Sequence, residues 1–242
     1  MKPNLPNKKV KTVVLSNINQ EIVSNIQGYG IKTIFTDKIN SLLPFEQTHA
    51  DMQFLPINNT TVAVLDNAYK LIENTLKLYK TFLKISLNRD ISYPNNVILN
   101  HTILNNNVIC LRKNIPTKLL EVYDANNFKI IDTKQGYSKC SICVVSDNAV
   151  ITSDSSIYNA CIKNKLDVLK ITKGQIILQG TDYGFIGGCS GKLDKDCLAF
   201  TGNIKLHSDY DNIKAFCGNY GVNLLSLSNG DLIDIGSIIP VS

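Results

Sequence analysis

His49 and Asp51 stand two residues apart in "QTHADMQF", and Cys140 and Cys143 three apart in "QGYSKCSIC". These residue types can move a proton, grip a cation and attack a carbon as thiolate. Both segments read as apolar-flanked β-strands, in which residues i and i+2 share a face. His49 and Asp51 would then point the same way, as a solvated edge or as a site. Lys139 would point away from Cys140, and Cys143 would face the side opposite to it. A free thiol has a pKa of about 8.5 and needs a neighbouring cation to become a good nucleophile at neutral pH. Cys189, in "GGCSG", is the rival thiol, because flanking glycines let a ligand approach the backbone.

The other two histidines carry plainer readings. His101, in "LNHTIL", is either a second polar group facing a pore or an exposed strand residue. His207, in "KLHSDYDN", precedes a helix for which Ser208 and Asp209 are natural N-caps. Asp66 and Asp154 hold corresponding places, and capping explains them too. A zinc finger would need a second CxxC beside Cys140 and Cys143. "YGFIGG" lacks the Lys-Ser/Thr of a phosphate loop and reads as tight backbone packing beside the site. No metal or cofactor signature is present, so none is expected.

Such residues need elements to hold them, and the chain repeats. Hairpins with Asn- or Asp-rich tips recur in "DMQFLPINNTTVAVLD", "NVILNHTILNNNVICLR", "CSICVVSDNAVITSD" and "GGCSGKLDKDCLAFTG". Their tips recur at a spacing on the order of 45 residues, a period that belongs to repeat and propeller architectures. Helical segments alternate with them: "NQEIVSNIQGYG", "DNAYKLIENTLKLYKTFLK", "PTKLLEVYDANNF", "SSIYNACIKNK" and "DYDNIKAFCGNYG". "DVLKITKGQIILQG" and "VNLLSLSNGDLIDIG" share a further layout of strand, Gly turn and strand. The last unit, "DLIDIGSIIPVS", has one inner strand and no partner, while the N-terminal "KVKTVVLSN" is an orphan strand able to supply it. Pairing the two removes exposed sheet edges. The expectation is one domain over residues 1–242, a fivefold α/β propeller.

Composition sets bounds on function. The 242 residues are 44% hydrophobic and 19% charged, with no tryptophan, as in ordinary soluble domains. The formal charge of +5 is spread along the chain with no basic run, so nucleic acid is not an expected partner. "MKPNLPNKKVK" is followed by no apolar run of membrane-spanning length, and a cytoplasmic protein with reduced cysteines is expected. Oligomeric state leaves no trace in the sequence.

A fivefold α/β propeller of this size resembles the pentein fold, shared by the guanidine-modifying enzymes and the ribosome anti-association initiation factors. The resemblance covers essentially the whole chain in its repeat plan. In the enzymes an inner strand carries His-x-Asp before an apolar strand, and "HADMQF" looks like that element. Two blades further round, "QGYSKCSIC" is similar to the nucleophile strand, with Lys139 where the enzymes often have His. The resemblance implies a hydrolase or amidinotransferase that works through a covalent thiol intermediate without a cofactor. Its partner would be a small cationic guanidine or amidine. Cys140 would be the nucleophile and His49 the acid and base. Asp51, Asp234 in "DLIDIGS" and Asp182 in "TDYGFIGGCSGK" would hold the cation. The enzymes run acid, His and then Cys at the chain's end, whereas here His comes first and "GSIIPVS" has no Cys. On a closed ring, a circular shift of blades leaves the pore unchanged. The alternative implication is a non-catalytic pentein, ribosome-factor-like or a small-molecule sensor.

Overall fold

The middle strand of each unit is an apolar or β-branched run, broken only by Asn107 at the start of one: "TVVL", "TVAVL", "NVIC", "AVIT" and "CLAF". Runs of this kind suit strands covered on both faces. In the computed structural model, which describes residues 2–16, 19–88 and 90–242, they are the centres of five three-stranded sheets. Each middle strand pairs antiparallel with an inner strand and parallel with an outer one. A parallel neighbour requires a crossover, and in every unit a helix supplies it.

The first sheet orders Ile239–Pro240, Thr12–Leu15 and Lys32–Phe35. The second orders Phe54–Pro56, Thr61–Leu65 and Thr81–Ile85, and the third Thr102–Leu104, Asn107–Cys110 and Lys129–Asp132. The fourth has Cys143–Val144, Ala149–Thr152 and Asp167–Lys170, and the fifth Ser190–Asp194, Cys197–Phe200 and Asn223–Ser226. The crossover helices are Gln20–Gly28, Tyr69–Thr75, Thr117–Ala125, Ser155–Lys163 and Tyr210–Gly218. Each buries an apolar stripe on its sheet, such as Ile22, Val23 and Ile26 in the first. Asn19 and Asp154 cap two of these helices by accepting backbone N–H bonds.

The expected pairing of chain ends is present: Val13 faces Pro240 and Val14 faces Ile239, antiparallel. The N-terminal strand is the centre of that sheet, not its outer member. Among the described residues the strands form separate sheets, and none of these closes on itself.

Four expectations are corrected. "QTHADMQF" is not one strand: Ala50–Gln53 is a single helical turn, and the strand begins at Phe54. "SKCS" is likewise one helical turn, Ser138–Ser141, before strand Cys143–Val144. The opposite-face argument for Lys139 and Cys140 therefore does not apply. Residues 67–84 hold a helix and then an outer strand, because the parallel crossover must end in a strand. The paired "strand, Gly turn, strand" segments are not hairpins; their second halves meet each other through a parallel bridge between Ile177 and Ile233.

Candidate functional site

Each inner strand is entered through a short turn, and the five turns bond to one another in a circuit. Asn100 Nδ2 donates to the Asp51 carbonyl (3.3 Å). The Lys139 amide donates to the Asn100 carbonyl (3.3 Å), and the Gly188 amide to the Cys140 carbonyl (2.8 Å). The Ser237 amide donates to the Gly188 carbonyl (2.8 Å), and the Asp51 amide to the Gly236 carbonyl (3.1 Å). Buried turns need such partners, since an unpaired backbone group is costly away from water. Glycine is required where the turns touch: a side chain at Gly188 would collide with the Asp234 carboxylate, and one at Gly236, whose φ is +75°, with His49.

Inside the circuit the polar side chains converge. A nitrogen of the His49 ring, a carboxylate oxygen of Asp51 and the Cys140 sulfur lie within 4.8 Å of one another. All three residues are at most 2% exposed. Cys140 Sγ donates to Asp51 Oδ2 at 3.1 Å, and Asn100 Nδ2 lies 3.1 Å from the sulfur. Asn100 Oδ1 accepts from the amides of Lys139 (2.8 Å) and Cys140 (3.2 Å), so one side chain fixes the helical turn that presents the thiol. Ser237 Oγ is 2.6 Å from Asp51 Oδ2, and Lys139 Nζ donates to that hydroxyl at 3.1 Å. Asp234 Oδ1 is 4.0 Å from His49 Nδ1. Its two oxygens accept from the amides of Gly236 (3.0 Å) and Phe185 (2.9 Å).

Burial, then the negative charges of Asp51 and Asp234, push the Cys140 thiol well above its ordinary value. Burial also raises Asp234, against the pull of His49. The resting thiol is thus a neutral donor to a carboxylate, opposite to the activated thiolate of many reactive cysteines.

Above this cluster opens a cleft of about 240 Å³ that reaches Cys140, His49 and Asp234. Its walls are aromatic: the Tyr137 and Phe185 rings stack with centroids 6.0 Å apart and planes 23° apart. Tyr137 is anchored by donating its hydroxyl to Glu46 Oε2 (3.0 Å), and Asn96 Nδ2 donates to Glu46 Oε1 (2.8 Å). Burial raises the Glu46 carboxyl above its ordinary value.

The structure brings Cys140, His49, Asp51 and Asp234 together from two helical turns and one loop. Asp51 touches the thiol and Ser237 but is not among the residues lining the cleft. Asp182 stands at the rim, exposed. Cys189 lies in an apolar cluster and donates to the Ile186 carbonyl. His101 packs on Tyr123 with its Nδ1 2.8 Å from the hydroxyl, and burial lowers its pKa to about 3. His207 Nδ1 accepts from the Asp209 amide at the start of a helix. Glu46, Asn100, Tyr137, Phe185 and Ser237 were not anticipated. Glu46 had a signal, three residues before His49; Asn100 had none, since Asn is also the residue of surface turns.

A sequence profile described as a family of unknown function, DUF6873, matches residues 13–239. No curated protein matches the sequence. Among solved structures, the inosamine-phosphate amidinotransferase of Streptomyces griseus is similar with a TM-score of 0.62 and 9% identity, over 98% of this chain and 95% of that one. The DDAH of Pseudomonas aeruginosa, complexed with citrulline, gives 0.56 and 7%, over 91% and 92%. The agmatine deiminase of C. jejuni gives 0.55 and 10%, over 94% and 90%. These are pentein enzymes, and the likeness across nearly the full length of each shows that this chain has the pentein fold.

Proposed function

The chain belongs to the family DUF6873, and we propose that it is an enzyme acting on a guanidine or amidine group through a covalent Cys140 intermediate. One observation carries the reading: Cys140 Sγ, a His49 nitrogen and an Asp51 oxygen lie within 4.8 Å of one another, and Cys140 and His49 line a cleft that also presents Asp234. Nucleophile, base and cation holder share one reacting position.

In this mechanism the guanidinium enters along the stacked Tyr137 and Phe185 rings and pairs with Asp234. Its positive charge offsets the two carboxylates that keep the thiol protonated. The thiol proton passes to Asp51 Oδ2, its hydrogen-bond acceptor, as sulfur bonds to the planar carbon and the C=N electron pair moves to nitrogen. His49 protonates the departing nitrogen as the C–N bond breaks. It then takes a proton from water as the water oxygen bonds to the thiouronium carbon; the C–S bond breaks, and the departing thiolate recovers its proton from Asp51, while an incoming amine in place of water makes the reaction a transfer. Asp51 in this scheme serves the thiol and not the substrate.

The test is labelling with chloroacetamidine, read by mass spectrometry. The expected result is one adduct, on Cys140, abolished by Cys140→Ser and slowed at least tenfold by His49→Ala. Comparable labelling of several of the seven thiols would sink the proposal.

A second reading is a guanidine-binding protein without turnover. It is favoured by the resting thiol's neutral state and by Ser237 in the C-terminal turn, where the resemblance puts the enzymes' cysteine. Saturable binding of a guanidine with no ammonia or transfer product would select it.

A further inference from the structure

The chain carries 25 Lys and Arg against 20 Asp and Glu, yet the cleft over Cys140 reverses that balance. Glu46, Asp182 and Asp234 line it, and no lysine or arginine among the described residues does. The adjoining cleft of about 720 Å³, which shares Phe45, His49, Leu178 and Asp234 with it, likewise has no lysine or arginine among the described residues of its lining. Lys139 beneath the site is turned to Ser237. Lys173 lies over the Tyr183 ring, 6.0 Å from its centroid, and is not a lining residue.

The three carboxylates are not equivalent. Asp234 is bonded to two backbone amides and faces His49, at the reacting end. Glu46 is occupied by Asn96, Tyr137 and the Leu43 amide. Asp182 is different: it is exposed at the rim and its carboxylate accepts no hydrogen bond from the described residues. One guanidinium at Asp234 leaves this outer charge unmatched. A carboxylate on the substrate would meet Asp182 with no fixed cation among the lining residues to receive it. The stacked Tyr137 and Phe185 rings, which line the same cleft as the two acids, offer aromatic surface to a cationic or aliphatic tail.

We propose that the substrate is a guanidine whose tail lacks a carboxylate and ends in a second positive charge, with Asp182 as the residue that selects it. This rests on the guanidine reading above and narrows it. The probes are 4-aminobutylguanidine, its N-acetyl derivative, in which the second charge is gone, and arginine, which adds a carboxylate. Binding is measured by calorimetry on the full chain carrying Cys140→Ala, so that turnover does not intervene. The diamine-like probe is expected to bind about fivefold more tightly than the acetylated one, the scale of an exposed charge pair, and arginine most weakly. Added salt should shrink the gap. Asp182→Asn, with an unchanged melting temperature, should reduce it to less than twofold. Arginine binding as tightly as the charged probe, or a gap that survives Asp182→Asn, overturns this inference and leaves the guanidine reading standing. Failure of all three probes to bind overturns both.

Discussion

The Cys140 thiol gives up its proton reluctantly because it is buried beside two carboxylates. Its alkylation by iodoacetamide is therefore expected to be slow at pH 7 and still climbing past pH 9, with a guanidine ligand moving the rise to lower pH. A plateau below pH 8 in the free protein would contradict the electrostatics. Glu46 gives a pH signature of its own. Its carboxyl is raised from an ordinary 4.5 chiefly by burial, so the folded chain holds this proton more tightly than the unfolded chain. Stability from this group is complete below pH 4.5 and is lost as pH rises through the folded value. Glu46→Gln keeps the shape and removes the buried charge. It should raise the melting temperature at pH 7 and flatten the slope above pH 4.5 in a series of melts. Asn100→Ala leaves the Cys140 amide without its acceptor. Buried groups of that kind cost about 1–3 kcal/mol, a loss that urea unfolding would register.

Between residue and molecule, the elements explain what could be read in advance. The hairpins were legible because strands of β-branched, apolar character flank Asn- and Asp-rich tips, and Asn105 does adopt a positive φ at one of them. The crossover helices were legible from their spacing, but of the expected caps only Asp154 bonds its helix's amides; Asp66 accepts from Ser86 and Asp209 from the Thr172 amide instead. Asp154 accepts from the amides of Ser156 and Ile157, and Asp154→Ala should cost about 1 kcal/mol in chemical denaturation. The one-turn helices at Ala50–Gln53 and Ser138–Ser141 were not legible. Four residues make barely one helical turn, too few for the 3.6-residue period to stand out from the alternation of a strand. Those turns nevertheless bring His49, Asp51 and Cys140 within reach of one another, on a backbone other than the expected strands. Asn100 stayed hidden because its partners lie 40 residues away, across a contact no local pattern encodes.

For the whole molecule, the pairing of Thr12–Leu15 with Ile239–Pro240 ties the two ends into one sheet. The Lys11 amide also donates to the Ser242 carbonyl, and the Val241 amide to the Thr12 carbonyl. Deleting residues 238–242 strips the first sheet of its inner strand and exposes the edge of Thr12–Leu15. The truncated chain should lose cooperative unfolding and associate through that edge, visible in calorimetry and by light scattering; a sharp, unshifted melt would contradict this. The circuit of turns has a temporal side as well. Ser237 and Asp51 touch although 186 residues separate them, so closing that contact carries a large loop entropy and belongs late in folding. The site is therefore a clock: in a pulse-alkylation refolding experiment, the moment Cys140 becomes protected marks the arrival of the last turn, and no earlier intermediate should hold a formed cleft.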